Sequence, residues 1–300
     1  MNKKIISIFV IFTLILVIPT ANAQLTVGSD VKQELIEVKI NDKGEVDVKH
    51  IVKASNMPGT LHLFSGTISN LVVTNEMGEE KESGIISDGL GNQSIFVLPS
   101  KENSIIKYNL ENIILKNNLF ITQISYAEKF SIVFDDQIKM IFVNNNAIFL
   151  EDKKGISVNG GGEIKIEFYS DIPKMIKEVQ WEENKFNVEI ITDSEIENFN
   201  FDQTSKSISF EVNEENKFVT IIMSEELLGG PYVILLDTEK IQYTKSEIDG
   251  YVALSMKPEL TGEITIIGTT VIPEFSMFIP LIMGFLIILT VPFVKKINLH

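Results

Sequence analysis

Residues 45–54 have the sequence Glu-Val-Asp-Val-Lys-His-Ile-Val-Lys-Ala, in which side chains largely alternate between apolar and polar. A β-strand points successive side chains to opposite faces, so this alternation predicts a strand with one covered face and one wet face. The covered face would carry Val46, Val48, His50 and Val52. A strand of this kind is typical of an antiparallel sheet that packs one face on a core and leaves the other in solvent.

The same alternation recurs along the chain in both directions. It marks residues 106–111, 130–134, 164–168, 186–190 and 208–212, with turn-forming Asn, Asp, Gly and Pro residues between the runs. In the third run, Lys165 and Glu167 are expected on the wet face. Many short strands with frequent turns, and no convincing amphipathic helix between them, predict an all-β protein built as a sandwich or barrel.

A Pro-containing stretch, Ser170–Lys174, predicts a boundary between two domains. Residues 24–172 would form a first β-sandwich, and residues 173–270 a second one with the strand pattern of an immunoglobulin-like domain. A Gly-Glu-Ile-x-Ile sequence occurs at residues 162–166 and again at residues 262–266, where it would close each domain, although an Ile-rich and Glu-rich chain could also produce it by chance. The expected fold is therefore two tandem antiparallel β-sandwiches.

The composition limits the classes of function. The chain has 26 basic residues, all of them lysine, against 41 acidic ones, which gives a net charge of −15. Such a surface repels nucleic acid, so we expect no nucleic-acid partner. The absence of Arg removes bidentate guanidinium recognition of anions, and the absence of Cys excludes disulfides, thiolate metal sites and a Cys nucleophile.

The first residues of the chain predict export. Residues 1–23 have the pattern of a secretory signal peptide, with two early lysines, an apolar run, and Ala21 and Ala23 at the small-residue positions before the cleavage point. Gln24 would be the new N-terminus. The alternative is an uncleaved membrane helix, for which the apolar run is short.

Residues 271–300 predict a membrane anchor. An uncharged run from residue 276 to residue 294 would span about 29 Å as a helix, the thickness of a bilayer's hydrocarbon core. Lys295 and Lys296 follow as a basic tail. By the positive-inside tendency, the lysines at both ends of the chain stay cytoplasmic, so residues 24–275 face outward from the cell membrane.

Pro273, Glu274 and Phe275 stand directly before this run. With the single apolar span and the basic end, they resemble the PEF-type C-terminal sorting segment of archaeal exported proteins. The resemblance implies that an archaeosortase-type membrane protease recognises the tripeptide, removes the span and transfers the protein to a lipid. Two features depart from the family: Ser276 stands where many relatives carry Gly or Pro, and four residues follow the lysines. The alternative is an ordinary tail anchor after a chance tripeptide.

Candidate catalytic and metal-binding residues are few. His50 lies on the apolar face of its strand, and His62 lies alone between Leu61 and Leu63, which point to the opposite face. A hydrogen-bonded core histidine is the expected role of His50, and a metal pair with His62 is the alternative. The sequence contains none of the common catalytic or nucleotide-binding motifs, so we predict no catalytic residue, no metal site and no cofactor.

These patterns predict a non-enzymatic protein on the outer face of the cell membrane, with a structural or adhesive role and with envelope proteins as partners. The resemblance of the tail implies that this envelope is archaeal. The alternative is an extracytoplasmic module that binds a small solute or a metal ion and presents it to a membrane complex. A pocket with aromatic and polar groups would favour the second role, and an exposed apolar patch the first. A glycosylation sequon at Asn92 suits an exported protein.

Overall fold

A computed structural model describes residues 29–87, 92–150, 153–181, 183–248 and 250–270. These residues form 25 strands and no helix. The strands are β1 (Ser29–Asp30), β2 (Gln33–Ile40), β3 (Val46–Val52), β4 (Gly59–His62), β5 (Thr67–Thr74), β6 (Ile85–Ser87), β7 (Gln93–Val97), β8 (Ser104–Glu111), β9 (Ile113–Lys116), β10 (Leu119–Ser125), β11 (Phe130–Phe134), β12 (Met140–Val143), β13 (Asn146–Phe149), β14 (Gly155–Val158), β15 (Glu163–Phe168), β16 (Lys174–Trp181), β17 (Asn184–Thr192), β18 (Ile196–Asp202), β19 (Ser207–Val212), β20 (Val219–Ser224), β21 (Gly229–Leu236), β22 (Glu239–Lys240), β23 (Tyr243–Ile248), β24 (Tyr251–Met256) and β25 (Gly262–Thr270).

The strands form five sheets, and the all-β prediction is confirmed for the described residues. Sheet A has the order β1-β4-β7-β6, sheet B β14-β11-β2-β3-β8-β5, sheet C β13-β12-β15-β10-β9, sheet D β16-β17-β20-β24-β23, and sheet E β18-β19-β25-β21-β22. Most ladders are antiparallel, but β1 pairs with β4, and β2 with β11, in parallel. The expectation of purely antiparallel pairing is wrong at these two ladders, because no hairpin joins either pair and fixes its direction.

The described residues divide into two compact units. Unit 1 contains residues 29–35, 49–65, 70–87 and 92–108, and unit 2 contains the other described residues. The expected boundary after residue 172 lies within unit 2 and stays a prediction. None of the described residues belongs to a helix that is long and apolar enough to cross a membrane. The predicted signal peptide and C-terminal span lie outside the described residues.

The alternation seen in residues 45–54 produces the strand β3 with the expected covered face. Val46, Val48, His50 and Val52 are all buried. In unit 1, β4 follows the same rule, since Leu61 is buried while His62 is exposed. In these two strands the period of two correctly assigns the side chains that enter the core.

Two hairpins of sheet C have a pair of asparagines as their turn residues. Asn117 and Asn118 join β9 to β10, and Asn144 and Asn145 join β12 to β13. All four residues have φ between 49° and 66°. Two-residue hairpin turns commonly need positive φ at both central positions, which Asn tolerates better than most non-Gly residues. The turns leave β9 at one edge of sheet C, with β15 at its centre.

Sheets D and E enclose one apolar core in unit 2. It includes Ile190 and Ile221 from sheet D and Phe210, Ile234 and Ile266 from sheet E. This is a sandwich-like arrangement, in which two sheets cover each other's apolar faces. The two Gly-Glu-Ile-x-Ile segments occupy equivalent places, since β15 is the central strand of sheet C and β25 the central strand of sheet E.

A second apolar cluster covers the face of sheet C that carries Glu167. The cluster contains Leu119, Met140, Phe142, Ala147, Tyr169 and Phe218. The Phe142 and Phe218 rings stack with their centroids 3.5 Å apart. This packing corrects the expectation that Glu167 faces solvent: its side chain is only 1% exposed, because both faces of the central strand β15 are covered.

Candidate functional site

A cleft of about 620 Å³ opens on unit 2. Its walls come from the β9–β10 hairpin, from β15 and the residue after it, and from the turns before β20 and β25. The lining carries four lysines and three glutamates, which are Lys116, Lys165, Lys217, Lys257, Glu167, Glu214 and Glu215. Lysines therefore outnumber glutamates in this lining, although the chain as a whole has a net charge of −15.

One face of sheet C lines the cleft. We call its aliphatic part the floor and its charged part, around Glu167, the wall. Glu167 lies directly opposite Ile121 on β10, and Ile121 lies opposite Ile114 on β9. In the neighbouring row, Leu119 lies opposite Lys116. Directly opposed residues of an antiparallel pair project to the same face. The register therefore places a carboxylate, three aliphatic side chains and a lysine on one surface.

Glu167 is a buried carboxylate on this surface. Its Oε1 accepts from Lys165 Nζ at 2.9 Å and from Lys257 Nζ at 3.0 Å. The Lys257 ammonium also lies 4.3 Å from the centroid of the Phe218 ring. A buried charged group is tolerated only when it is paired. The two lysines thus hold the carboxylate in the wall.

Two polar atoms of this wall have no hydrogen-bond partner among the described residues: Glu167 Oε2 and the Tyr169 hydroxyl. Burial raises the pKa of Tyr169, and the negative charges of Asp193, Glu167 and Glu214 add to the effect. The hydroxyl therefore keeps its proton and can donate. A buried polar atom without a partner costs about 1–3 kcal/mol, so the wall holds an acceptor and a donor that each gain from a new partner.

The lysines of the cleft differ in their partners. Lys217 Nζ lies 2.6 Å from Asp193 and 3.6 Å from Glu214, while Lys165 and Lys257 share Glu167. Lys116 is exposed and forms no ion pair among the residues that the structure describes. Among the four lysines of the lining, Lys116 is therefore the one whose positive charge is not neutralised by a carboxylate of the described residues.

This chemistry suits the binding of an organic molecule. Ammonium, carboxylate, amide and phenol groups surround an aliphatic floor, so the cleft can pair charges and cover apolar surface together. Within the described residues, no group of three His, Cys, Asp or Glu side chains is arranged to hold a metal ion.

His50 is the hydrogen-bonded core histidine that the sequence predicts. It is fully buried in unit 1, with Nδ1 2.6 Å from Gln33 Oε1 and Nε2 3.1 Å from the Tyr108 hydroxyl. The Tyr108 hydroxyl also accepts from the Phe64 backbone N–H at 3.1 Å. Burial lowers the pKa of His50 to about 4. These contacts give His50 a structural role and confirm the prediction.

The other predicted site residues lie apart from the cleft or outside the described chain. His62 is exposed, and its Nε2 lies 3.2 Å from Asp30 Oδ1. Asn92 is exposed directly before β7, and its glycosylation stays a prediction. The residues proposed for cleavage, sorting and topology lie outside the described residues, namely Ala21, Ala23, Gln24, Pro273, Glu274, Phe275, Lys295 and Lys296.

Sequence reasoning missed the cleft, because its residues are spread from residue 116 to residue 261 and no motif joins them. One local signal was present. Phe168 and Tyr169 follow Glu167, which breaks the alternation and puts Tyr169 on the same face as Glu167. A large aromatic side chain on an expected wet face indicates that something covers that face.

Comparisons of the chain with protein-family models, with curated proteins and with solved structures found no match.

Proposed function

We propose that this chain is a non-enzymatic, exported binding module whose cleft in unit 2 holds a small organic solute. The observation that carries the proposal is the buried Glu167 carboxylate, held by Lys165 and Lys257 in the wall of a cleft of about 620 Å³. Ligand sites are typically concave, roughly 300–1,000 Å³ in volume, with a few oriented polar groups on an apolar lining. Leu119 and Ile121 supply the apolar lining here.

The proposal includes the cellular setting that the sequence predicts. Residues 1–23 direct export, and the C-terminal segment holds the protein on the outer face of the membrane, as a helix or after transfer to a lipid by an archaeosortase-type enzyme. Residues 24–172 and 173–270 form two β-sandwich domains, of which the second is immunoglobulin-like. The all-β sheets support this architecture, and the role is to present the solute to an envelope partner.

Adhesion is the second candidate function, and a different surface favours it. Ile85 and Ile86 are 45% and 48% exposed on β6, an edge strand of sheet A in unit 1. Exposed apolar side chains on an edge strand favour association with another chain. An adhesive protein would use this edge, whereas a solute-binding protein would use the cleft.

Native mass spectrometry of the full chain, released from its own membrane, tests solute binding. We expect a bound small molecule to appear as a reproducible mass increment. Thr261 is exposed in the cleft lining, so Thr261→Trp places an indole in the cleft and should abolish the increment. Thr204 is exposed in the turn between β18 and β19, and Thr204→Trp should retain the increment.

The proposal fails if the wild-type chain carries no increment, or if Thr261→Trp retains it at full occupancy. Loss of partner capture in an Ile85→Asp, Ile86→Asp double variant, with no increment in any form, would move adhesion to first place.

A further inference from the structure

An apolar strip runs from the cleft to the open edge of sheet C. It consists of Ile121 and Leu119 on β10 and Ile114 on β9, which the register places on one face. Ile114 is 68% exposed, and β9 is the edge strand of the sheet. The strip crosses two strand spacings from β15, which is roughly 10 Å. The floor therefore continues as apolar surface beyond the charged wall.

Lys116 stands beside this strip. It is two residues from Ile114 on β9 and directly opposite Leu119. Its exposed ammonium forms no ion pair among the described residues, unlike those of Lys165, Lys217 and Lys257. The combination is an aliphatic strip that becomes exposed at Ile114, with one uncompensated cation at its rim.

We propose that the ligand of the cleft is an amphiphilic anion, with a hydrocarbon body on the strip of Leu119, Ile121 and Ile114 and an acidic group at Lys116. This inference rests on the proposed function and names the chemical class of its solute. A compact polar anion would leave the exposed Ile114 uncovered. A cation would meet four lysines against three glutamates in the lining, and Glu167 Oε1 is already paired with two of those lysines.

The edge strands of unit 2 differ in how many charged residues they carry. Edge strands commonly carry charged side chains that prevent association. Charged residues are present on β16, β18, β22 and β23, whereas β13 and β14 carry none and β9 has the sequence Ile-Ile-Leu-Lys with its single charge at the end. An amphiphile lying on the cleft-facing side of β9 would cover the exposed Ile114.

Hydrogen exchange measured by mass spectrometry, on the full chain in neutral phospholipid nanodiscs, tests this inference with decanoate as the probe. Decanoate should slow exchange in residues 113–121 and 213–217 in a saturable manner. Decanol, which has the same chain without the charge, should need at least about tenfold more ligand for half-saturation, and acetate should give no protection. Because the readout is local, partition of the probes into the lipid does not imitate it.

Matched variants separate the charge from the apolar strip. Lys116→Glu should raise the half-saturating decanoate concentration by about tenfold or more, whereas Lys129→Glu makes the same charge change on an exposed surface outside the cleft and should leave it unchanged. Ile114→Asp should also weaken binding. Its control is Ile176→Asp, at an exposed position on the edge strand β16.

Three results would overturn the inference. Equal protection by decanol would show that the acidic group is irrelevant, and equal protection by acetate would show a plain anion site. No protection by decanoate, with the native mass increment still lost in Thr261→Trp, would assign the cleft to another class of solute. In all three cases the proposed solute-binding function stands, because a small molecule still binds in the cleft. Absence of both protection and increment would remove that function as well.

Discussion

At the scale of single residues, Glu167 shows how a charge can sit on an otherwise apolar sheet face. Phe142 and Ile121 lie directly opposite it on the two neighbouring strands. Lys165 and Lys257 reach one carboxylate oxygen, and the other oxygen has no partner among the described residues. The two ion pairs offset the cost of burying the carboxylate only in part, because its second oxygen makes no hydrogen bond within the described residues.

Replacing Glu167 with Ala should destabilise the protein, because two ammonium groups would remain in a wall built around a carboxylate. Removing one partner of a buried pair costs about 3–5 kcal/mol, and we expect a value near the lower end because Lys165 is partly solvated. Urea unfolding of the full chain, followed by circular dichroism, measures the free energy of unfolding.

Glu178→Ala is the matched control. Glu178 pairs with Lys185 at 2.7 Å, but both side chains are mostly exposed, so its loss should cost less than about 1 kcal/mol. Equal small losses in the two variants would show that the Glu167 pair contributes no more than a surface pair.

His50 should make the stability of the protein depend on pH. Burial lowers its pKa to about 4 from 6.5, so between these values the unfolded chain binds a proton that the folded chain excludes. The free energy of unfolding should be fully retained above pH 6.5 and fall by on the order of 3 kcal/mol as the pH drops towards 4. Unfolding experiments across this range measure the slope.

His50→Gln isolates this contribution from that of the carboxylates. The variant should lose the His50 part of the slope and lose about 1–3 kcal/mol at pH 7, because it disturbs the contacts with Gln33 and Tyr108. His62→Gln is the control and should change little, since His62 is exposed. An unchanged slope in His50→Gln would contradict the assignment.

At the scale of elements, the β9–β10 hairpin connects local backbone geometry to the cleft. Its turn residues Asn117 and Asn118 have φ of 49° and 60°, and Asn117 itself lines the cleft beside Lys116. This turn, with its positive φ angles, therefore determines the positions of Lys116 at the rim and of Leu119, where the apolar strip begins.

Asn118→Val should destabilise this hairpin by about 1–2 kcal/mol, because a residue with a Cβ, and a β-branched one above all, is strained at positive φ. Asn118→Gly should be close to neutral, since Gly adopts this conformation freely. Urea unfolding compares the variants, and Asn145→Val with Asn145→Gly repeats the test in the β12–β13 hairpin. A neutral effect of both Val substitutions would contradict the turn geometry.

At the scale of the whole molecule, the contacts of unit 2 run across the expected boundary after residue 172. Phe142 stacks on Phe218, Glu167 pairs with Lys257, and Thr220 lies 3.9 Å from the Met140 sulfur. The cleft uses residues from both sides of that position. The proposed solute binding is therefore expected to depend on how the two predicted sandwiches pack.

Maturation should remove both ends of the chain. Mass spectrometry of native protein should find Gln24 as the N-terminus and no peptides beyond Phe275, because the Ala21 and Ala23 positions fit the signal-cleavage pattern and the tail resembles a sorting segment. Replacing Pro273, Glu274 and Phe275 with Ala should retain the uncut tail. Peptides containing Lys295 and Lys296 at full stoichiometry would indicate a plain helical anchor instead.

The sequence by itself predicted the strands with alternating apolar and polar side chains, and the apolar face of each. The buried set of β3 and the burial of His50 follow from a period of two, which is a local property of an extended backbone. The Asn-rich turn at residues 144–146 was also evident, because Asn tolerates positive φ. These features depend on neighbours in sequence, and so the sequence reports them directly.

Only the tertiary structure decided what covers the second face of each sheet. Alternation assigned Glu167 to the wet side of β15, but Phe218 and its neighbours cover that side, and the pairing of β2 with β11 is parallel although the two strands are far apart in the chain. The cleft joins a hairpin, a central strand and two turns. Such contacts are selected by the packing of the whole chain, since a strand's own pattern specifies which way each side chain points and not which distant element will meet it.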